Sequence, residues 1–142
     1  MPEKIEELLR AALAAAQGAG DLSAFELDDC AIERPADTSH GEWTSTMALK
    51  SAKLAHCAPR KIAEAVVAHM PEDPAIEKVE IAGPGFINLF LSASFWGGVV
   101  LGACANSQYG RTDHGKGAKY NVEFVSANPT GPMHMGNARG GA

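Results

Sequence analysis

The feature that most constrains the fold of this chain is a change in apolar spacing around Gly83-Pro84-Gly85. Upstream, apolar residues recur at the three- and four-residue intervals of amphipathic helices. Close to the turn they alternate instead, as in Val79-Glu80-Ile81 before it and Ile87-Asn88-Leu89 after it. Alternation on both sides of a Gly-Pro-Gly turn predicts two antiparallel strands. Helices mixed with such a hairpin, without regular βαβ spacing, predict an α+β domain over residues 1–110, with helices packed on a small antiparallel sheet.

The remaining elements of this domain follow from local patterns. Helices are predicted over residues 2–18, from about Thr44, and over residues 59–70, with prolines in the first turns of the first and third. Residues 28–35 have a short extended pattern that ends at a proline. A further helix is predicted over residues 93–110, although three glycines weaken it. The two tryptophans, Trp43 and Trp96, are expected to anchor the packing of helices on the sheet.

Composition restricts the class of protein. With 46% hydrophobic and 20% charged residues, the chain can bury a core, which argues against a disordered protein. The net charge of −5 argues against holding nucleic acid by bulk positive charge and leaves only a local contact patch. Cys30, Cys57 and Cys104 form no CxxC pair, so we expect reduced cysteines and no bound metal. No stretch has the pattern of a secretory signal or membrane span, so we expect a cytoplasmic protein that does not contact membranes.

A second region follows a polar, glycine-bearing stretch. Residues 111–118 have the composition of a linker, which predicts a domain boundary, and residues 119–142 are expected to begin a second domain. There, "KYNVEFVS" predicts a strand, "ANPTGP" a sharp loop and "MHMGNARGGA" the start of a helix. A strand that leads through a loop into a helix N-terminus is the arrangement that binds phosphates in α/β folds.

Two sets of residues in this region suggest chemistry, each with an ordinary alternative. His134 and Asn137 could donate hydrogen bonds to phosphate oxygens, while Gly136 allows close approach of a ligand. The same residues also fit a glycine-rich helix cap with an exposed histidine, and spacing alone does not separate the two interpretations. Glu123, near the end of the predicted strand, could bind a guanidinium through two hydrogen bonds. From its position alone, an ordinary glutamate that faces solvent or forms a salt bridge is the favoured interpretation.

Three separated stretches resemble one family. "VEFVSANPTGPMHMGNARGG" closely resembles the start of the catalytic domain of arginyl-tRNA synthetase, a class I enzyme whose signature runs His, an apolar residue, Gly, His. "IERPADTSHGEW" and "VEIAGPGFINLFLS" resemble the N-terminal additional domain of that family, in the same order and at about the same spacing. The likeness covers nearly the whole chain, and it implies that residues 119–142 are the incomplete start of a Rossmann-like domain.

The resemblance implies roles for the second region. In the family, the signature helix start holds ATP, with Mg²⁺ neutralising the phosphates, and stabilises the transition state of arginine activation. His134 and Asn137 would be catalytic here, and both would bind ATP together with Gly136. Asn137 replaces the usual second histidine, which keeps a donor and removes a titratable ring. Glu123, Ser126 and Asn128 would bind L-arginine. The signature region comprises Ala127, Asn128, Pro129, Thr130, Gly131, Pro132, Met133, His134, Met135, Gly136 and Asn137.

For the first domain, the resemblance implies contact with the corner of the arginine-specific tRNA, around the D-loop. Phe86 would stack on an unpaired base and Asn88 would read its edge, a combination that suits single-stranded RNA. A core phenylalanine is the competing interpretation of Phe86. Some relatives place a further polar base contact three residues before the aromatic, where this chain has Gly83.

The resemblance therefore predicts an arginine–tRNA ligase of which this chain is an N-terminal fragment, monomeric and expected to be inactive alone. The KMSKS-type loop and the helical anticodon-binding domain of the family do not occur in its 142 residues. A free-standing tRNA-binding module without catalysis is the alternative from another class. A third interpretation is an unrelated protein whose glycine-rich end binds a nucleotide without arginine.

Overall fold

The structure is a computed structural model that describes residues 1–123, 131–132 and 134–138. For residues 137 and 138 it describes the backbone alone. It divides into two compact units, Met1–Ser107 and Gln108–Ala142. The elements in chain order are α1 (Pro2–Ala19), β1 (Ile32–Glu33), a 3-10 turn (Thr38–His40), β2 (Trp43–Ser45), α2 (Met47–Ala55), α3 (Pro59–Ala68), β3 (Ile76–Ala82), β4 (Phe86–Leu91), α4 (Ala93–Ala105) and α5 (Met135–Ala138).

Helix α1 confirms the strongest helical pattern. Pro2 lies in its first turn, where the missing N–H needs no partner, and Glu3 adds a negative charge near the positive end of the helix dipole. The helix ends at Ala19 and is capped by Gly20, whose left-handed backbone (φ 86°) lets its N–H donate to carbonyl oxygens of the last turn. The end lies beyond the predicted Gly18, and the five buried residues follow helical spacing: Ile5, Leu9, Ala12, Leu13 and Ala16.

The four strands form one antiparallel sheet in the order β1-β2-β4-β3. The hairpin predicted around Gly83-Pro84-Gly85 is present as β3 and β4, and Ile81 pairs with Ile87 across it. Trp43 of β2 pairs with Leu89 on the other side of β4, so β4 is a central strand. Helices on one antiparallel sheet confirm the α+β class for this part of the chain.

The two faces of the sheet differ sharply. Strand residues alternate between faces, so Ile87 and Leu89 project to the same side and are fully buried in the core with α1, α2 and α3. The other side, here called the open face, carries Phe86, Asn88 and Phe90 of β4. Thr44 of β2 lies on the open face because it pairs directly with Asn88. The open face therefore displays the residues to which the resemblance assigns RNA contacts.

The structure corrects several local predictions. Residues 43–45 form a strand, so the second helix starts at Met47 and not at about Thr44, because pairing with β4 overrides the local pattern. Helix α3 ends at Ala68, before the predicted residue 70. Trp96 is 45% exposed on α4 and does not anchor packing within the described part of the chain.

The second unit is described here by itself. The predicted strand over residues 119–126 is wrong as far as Glu123, because residues 119–123 have no regular secondary structure and pair with no strand that the structure describes. Residues 124–126 lie outside the described residues. The predicted helix start is present as the single turn α5.

Within the residues that the structure describes, none of the helices has both the length and the apolar character needed to cross a membrane.

Candidate nucleic-acid interface

A cavity of about 430 Å³ opens on the open face of the sheet. All four strands contribute to its lining, with Phe86 and Asn88 from β4 and Thr44 from β2. The segment that joins β1 to β2 forms its wall. Among the described residues, the lining is Glu33, Arg34, Pro35, Ala36, His40, Thr44, Ala82, Phe86 and Asn88. The lining thus combines the Phe86 ring and the His40 imidazole with an amide, a guanidinium and the Glu33 carboxylate.

Asn88 is the buried polar group of this cavity. The residue as a whole is 3% exposed, and its Oδ1 accepts a hydrogen bond of 2.8 Å from the hydroxyl of Thr44, a residue that is 7% exposed. Antiparallel pairing of β2 with β4 places these two residues directly opposite each other. A buried amide held by one defined partner is ordered before any ligand arrives, which favours selective recognition.

Phe86 is placed by the turn before it. Gly85 has a φ of 140°, and a Cβ there would lie 2.9 Å from the carbonyl carbon and oxygen of Pro59. Arg60 also donates a hydrogen bond of 3.1 Å from Nη1 to the carbonyl oxygen of Gly83. The turn is therefore attached to the start of α3. Phe86, 37% exposed, is not a core residue, so its ring is accessible at the edge of the cavity.

Arg34 supplies positive charge that the sequence analysis did not identify. Its guanidinium carbon lies 5.1 Å from the centroid of the Trp43 ring, within the range of a cation–π interaction. Among the described residues it makes no ion pair. Its charge is thus oriented by Trp43 and available to an anion. Pro35 follows Arg34, and a proline restricts the backbone of the residue before it. This restriction was the sequence signal that could have indicated a fixed position for Arg34.

The wall of the cavity is a rigid turn. The Asp37 carboxylate accepts a hydrogen bond of 2.8 Å from the backbone N–H of Ser39, which lowers the pKa of Asp37, and the Ser39 hydroxyl lowers it further. His40 ends this turn, is exposed and lines the cavity. The sequence analysis also missed Thr44, because it assigned that residue to a helix.

Another concavity, of about 670 Å³, lies between the end of α3 and β3. Three acidic residues line it, Glu72, Asp73 and Glu77, against the single cation Lys78. Asp73 forms an ion pair of 2.9 Å with Lys4, and the hydrogen bond from Lys4 is the main reason why the pKa of Asp73 is lowered. This acidic lining repels polyanions, so the cavity at Phe86 is the better candidate for RNA.

The predicted catalytic residues lie in the second unit. Glu123 is exposed and has no ion pair or hydrogen bond among the described residues. The Nδ1 atom of His134 accepts a hydrogen bond of 3.1 Å from the N–H of Gly136, so this ring caps its own short helix. The side chain of Asn137, and all of Ser126, Ala127, Asn128, Pro129, Thr130 and Met133, lie outside the described residues. Gly131, Pro132 and Met135 are exposed.

Metal ligation finds no support in the described ranges. Within residues 1–123, 131–132 and 134–138, no three His, Cys, Asp or Glu side chains are grouped closely enough to hold a metal ion.

The fold and the cavity define an α+β domain with a small aromatic and polar site on an open sheet face. Residues 3–91 match the family model described as the arginyl tRNA synthetase N terminal domain. The chain therefore belongs to the family of arginyl-tRNA synthetase N-terminal domains.

Relatives extend the similarity through the second unit. An arginine–tRNA ligase of Caldanaerobacter subterraneus is 47% identical over 142 residues, which cover 99% of this chain and 25% of the relative. One from Cereibacter sphaeroides is 47% identical over 139 residues, covering 96% of this chain and 24% of the relative. The chain spans about a quarter of the length of the curated relatives it matches.

A solved structure supports the fold alone. The crystal structure of arginyl-tRNA synthetase from Plasmodium falciparum matches with a TM-score of 0.53 at 20% identity. The match covers 66% of this chain and 16% of that chain.

Proposed function

We propose that this chain is the N-terminal part of an arginine–tRNA ligase, a monomeric cytoplasmic enzyme that uses ATP to attach L-arginine to its tRNA. The observation that carries this proposal is the 47% identity to arginine–tRNA ligases over 99% of the chain. The similarity therefore includes residues 119–142 as well as the N-terminal domain.

The proposed domains of the chain differ in function, tRNA binding in the first and catalysis in the second. Residues 1–110 form the tRNA-binding domain, residues 111–118 are a linker, and residues 119–142 begin a Rossmann-like class I catalytic domain. In that second part, His134, Gly136 and Asn137 hold the phosphates of ATP, which enters as its Mg²⁺ complex. Glu123, Ser126 and Asn128 hold L-arginine. An oriented set of donors stabilises the charge that develops on the phosphate during activation.

The cavity on the open face is the proposed RNA contact. An unpaired base in the D-loop region of tRNA enters it, stacks on Phe86 and meets the amide of Asn88 at its edge. The accessible ring and the buried amide line the same cavity, which is the geometry that base recognition needs. Arg34 contacts a neighbouring phosphate, because its guanidinium is oriented over Trp43 and forms no ion pair in the described part of the chain. With a net charge of −5, the chain depends on such local contacts.

Binding of the cognate tRNA to the 142-residue chain and to Phe86→Ala tests this proposal. Removal of the stacking ring is expected to cost about 1–3 kcal/mol, which weakens binding about 5- to 150-fold. Fluorescence anisotropy with labelled tRNA at fixed salt measures the affinity, and thermal unfolding monitored by circular dichroism checks that the variant is folded.

Phe90→Ala is the matched control. Phe90 is the same residue type on the same strand and face, but it does not line the cavity and lies beneath Lys78, whose Nζ is 5.0 Å from the ring centroid. Binding by Phe90→Ala should stay close to that of the unmodified chain. Equal affinity of Phe86→Ala and the unmodified chain would contradict stacking, and equal losses in both variants would place the contact outside the cavity.

A second candidate is a tRNA-binding module that acts without catalysis. One observation favours it: the Met1–Ser107 unit is compact by itself and contains all the described residues that line the cavity. The two candidates share the RNA contact, and assays of arginine activation separate them.

A further inference from the structure

The strongest unexplained feature of the cavity is the direction of the Asn88 amide. An asparagine side chain offers an oxygen acceptor at one side and two N–H donors at the other. The oxygen is engaged, because it accepts the hydrogen bond from the Thr44 hydroxyl. The Nδ2 group has no hydrogen-bond partner among the described residues.

This unpartnered nitrogen is nevertheless reachable from the cavity. In the described part of the chain, every fully buried side-chain nitrogen or oxygen has a hydrogen-bond partner. Nδ2 has none, so it is not among the fully buried atoms, although Asn88 as a whole is only 3% exposed. Asn88 lines the cavity, and Nδ2 is the polar atom of its side chain that has no partner among the described residues.

Thr44 decides this direction. If the amide rotated by half a turn, Nδ2 would donate to the Thr44 oxygen and the hydroxyl hydrogen would lose its acceptor. Thr44 is 7% exposed and its hydroxyl has no other partner among the described residues, so that hydrogen would remain unpaired. An unpaired buried donor is unfavourable, and the observed direction is therefore preferred.

We propose that Thr44 is a positioning residue that holds the Asn88 amide with its N–H donors toward the cavity. The site then selects a nucleobase edge that offers an acceptor, either a ring nitrogen or a carbonyl oxygen. An edge that offers only an amino group meets donors and is rejected. This inference rests on the proposed function of the cavity as the site of an unpaired base.

A double-mutant cycle with the 142-residue chain and cognate tRNA tests the proposal. Asn88→Ala removes the donors and should weaken binding about 2- to 12-fold, the range for one hydrogen bond. Thr44→Val keeps the side-chain shape, frees the amide to rotate, and should weaken binding to a similar degree. In the Asn88→Ala background, Thr44→Val should have no further effect, because Thr44 acts through Asn88.

Two conservative variants complete the test. Thr44→Ser keeps the hydroxyl, so its affinity for tRNA should stay within about twofold of that of the unmodified chain. The methyl group that it loses is expected to affect this affinity little. Asn88→Asp keeps an oxygen for Thr44 and replaces the donors with a second oxygen, so it should bind more weakly than Asn88→Ala. Thermal unfolding checks each variant, and Thr44→Ala replaces Thr44→Val if the valine variant does not fold.

Results that contradict this inference can be distinguished from results that contradict the proposed function. Additive losses from Thr44→Val and Asn88→Ala overturn the positioning role, as does Thr44→Ser binding as weakly as Thr44→Val. Undiminished tRNA binding by Asn88→Asp overturns the proposal that Asn88 presents N–H donors to the cavity. In all three cases the unmodified chain still binds and Phe86→Ala still weakens it. If the unmodified chain does not bind tRNA, the proposed function fails and this inference fails with it.

Discussion

At the scale of single residues, Gly41 connects the cavity wall to the central strand. Its φ is 88°, and a Cβ built there would lie 2.5 Å from the carbonyl oxygen of Leu89. The next residue fixes the same contact, because the N–H of Glu42 donates to that oxygen at 3.1 Å. The Glu42 carboxylate in turn accepts from the N–H of Leu91 at 2.9 Å. This close approach of two backbones requires glycine.

Gly41→Ala is therefore expected to destabilise the chain by about 1–3 kcal/mol, through left-handed strain and the contact with β4. Urea unfolding followed by circular dichroism measures the free energy of unfolding. Gly18→Ala is the control: it lies in α1 with no atom within 4 Å of its Cβ position, and it should be neutral or stabilising by up to about 1 kcal/mol. Similar stabilities of the two variants would show that the loop relaxes without cost.

At the scale of elements, burial does not follow apolar character alone. Leu9 of α1 is fully buried, whereas Leu54 of α2 is 53% exposed. The buried face of α2 instead uses the small residues Ala48, Ser51 and Ala55 beside Met47. The Ser51 hydroxyl donates to the Met47 carbonyl at 2.7 Å, which satisfies it inside the core. Small side chains allow α2 to pack closely against α3.

Leu9→Ala and Leu54→Ala compare these two positions with identical chemistry. Leu9→Ala leaves a cavity in the core and should reduce the free energy of unfolding by about 2–5 kcal/mol. Leu54→Ala removes an exposed side chain and should change it by less than about 0.5 kcal/mol. Urea unfolding of both variants measures the difference. A loss for Leu54→Ala that approaches that of Leu9→Ala would show that α2 buries a different face.

At the scale of the whole molecule, the two units differ in what supports them. The Met1–Ser107 unit has a core formed by α1, α2, α3 and the sheet. In the second unit, residues 108–123 are exposed and pair with no described strand. The chain spans about a quarter of the length of the curated relatives it matches. In the described part of the second unit, no strand supports the proposed catalytic residues.

We predict that the 142-residue chain alone does not catalyse arginine-dependent exchange between ATP and pyrophosphate. A full-length relative assayed in parallel is the positive control, and the residue aligned with Glu123, changed to alanine there, should abolish arginine use. Exchange above background by the 142-residue chain would contradict the prediction. A full-length variant that keeps its activity would remove Glu123 from the proposed arginine site.

The sequence by itself determined the features that depend on local pattern. The spacing of apolar residues predicted α1, α3 and the β3-β4 hairpin, because helix and strand periods are properties of neighbouring residues. Motif similarity over the whole chain indicated the family, which the family match to residues 3–91 confirms. The roles of Phe86 and Asn88 remain predictions, now with a shared cavity to support them.

Only the tertiary structure decided the rest. Strand β2 has three residues, too few to show a period, and it exists because it pairs with a strand more than 40 residues later in the chain. That pairing brings Thr44 to Asn88, and the segment before β2 brings Arg34 and His40 to the same cavity. Contacts between distant segments depend on how the whole chain packs, and no local pattern records them.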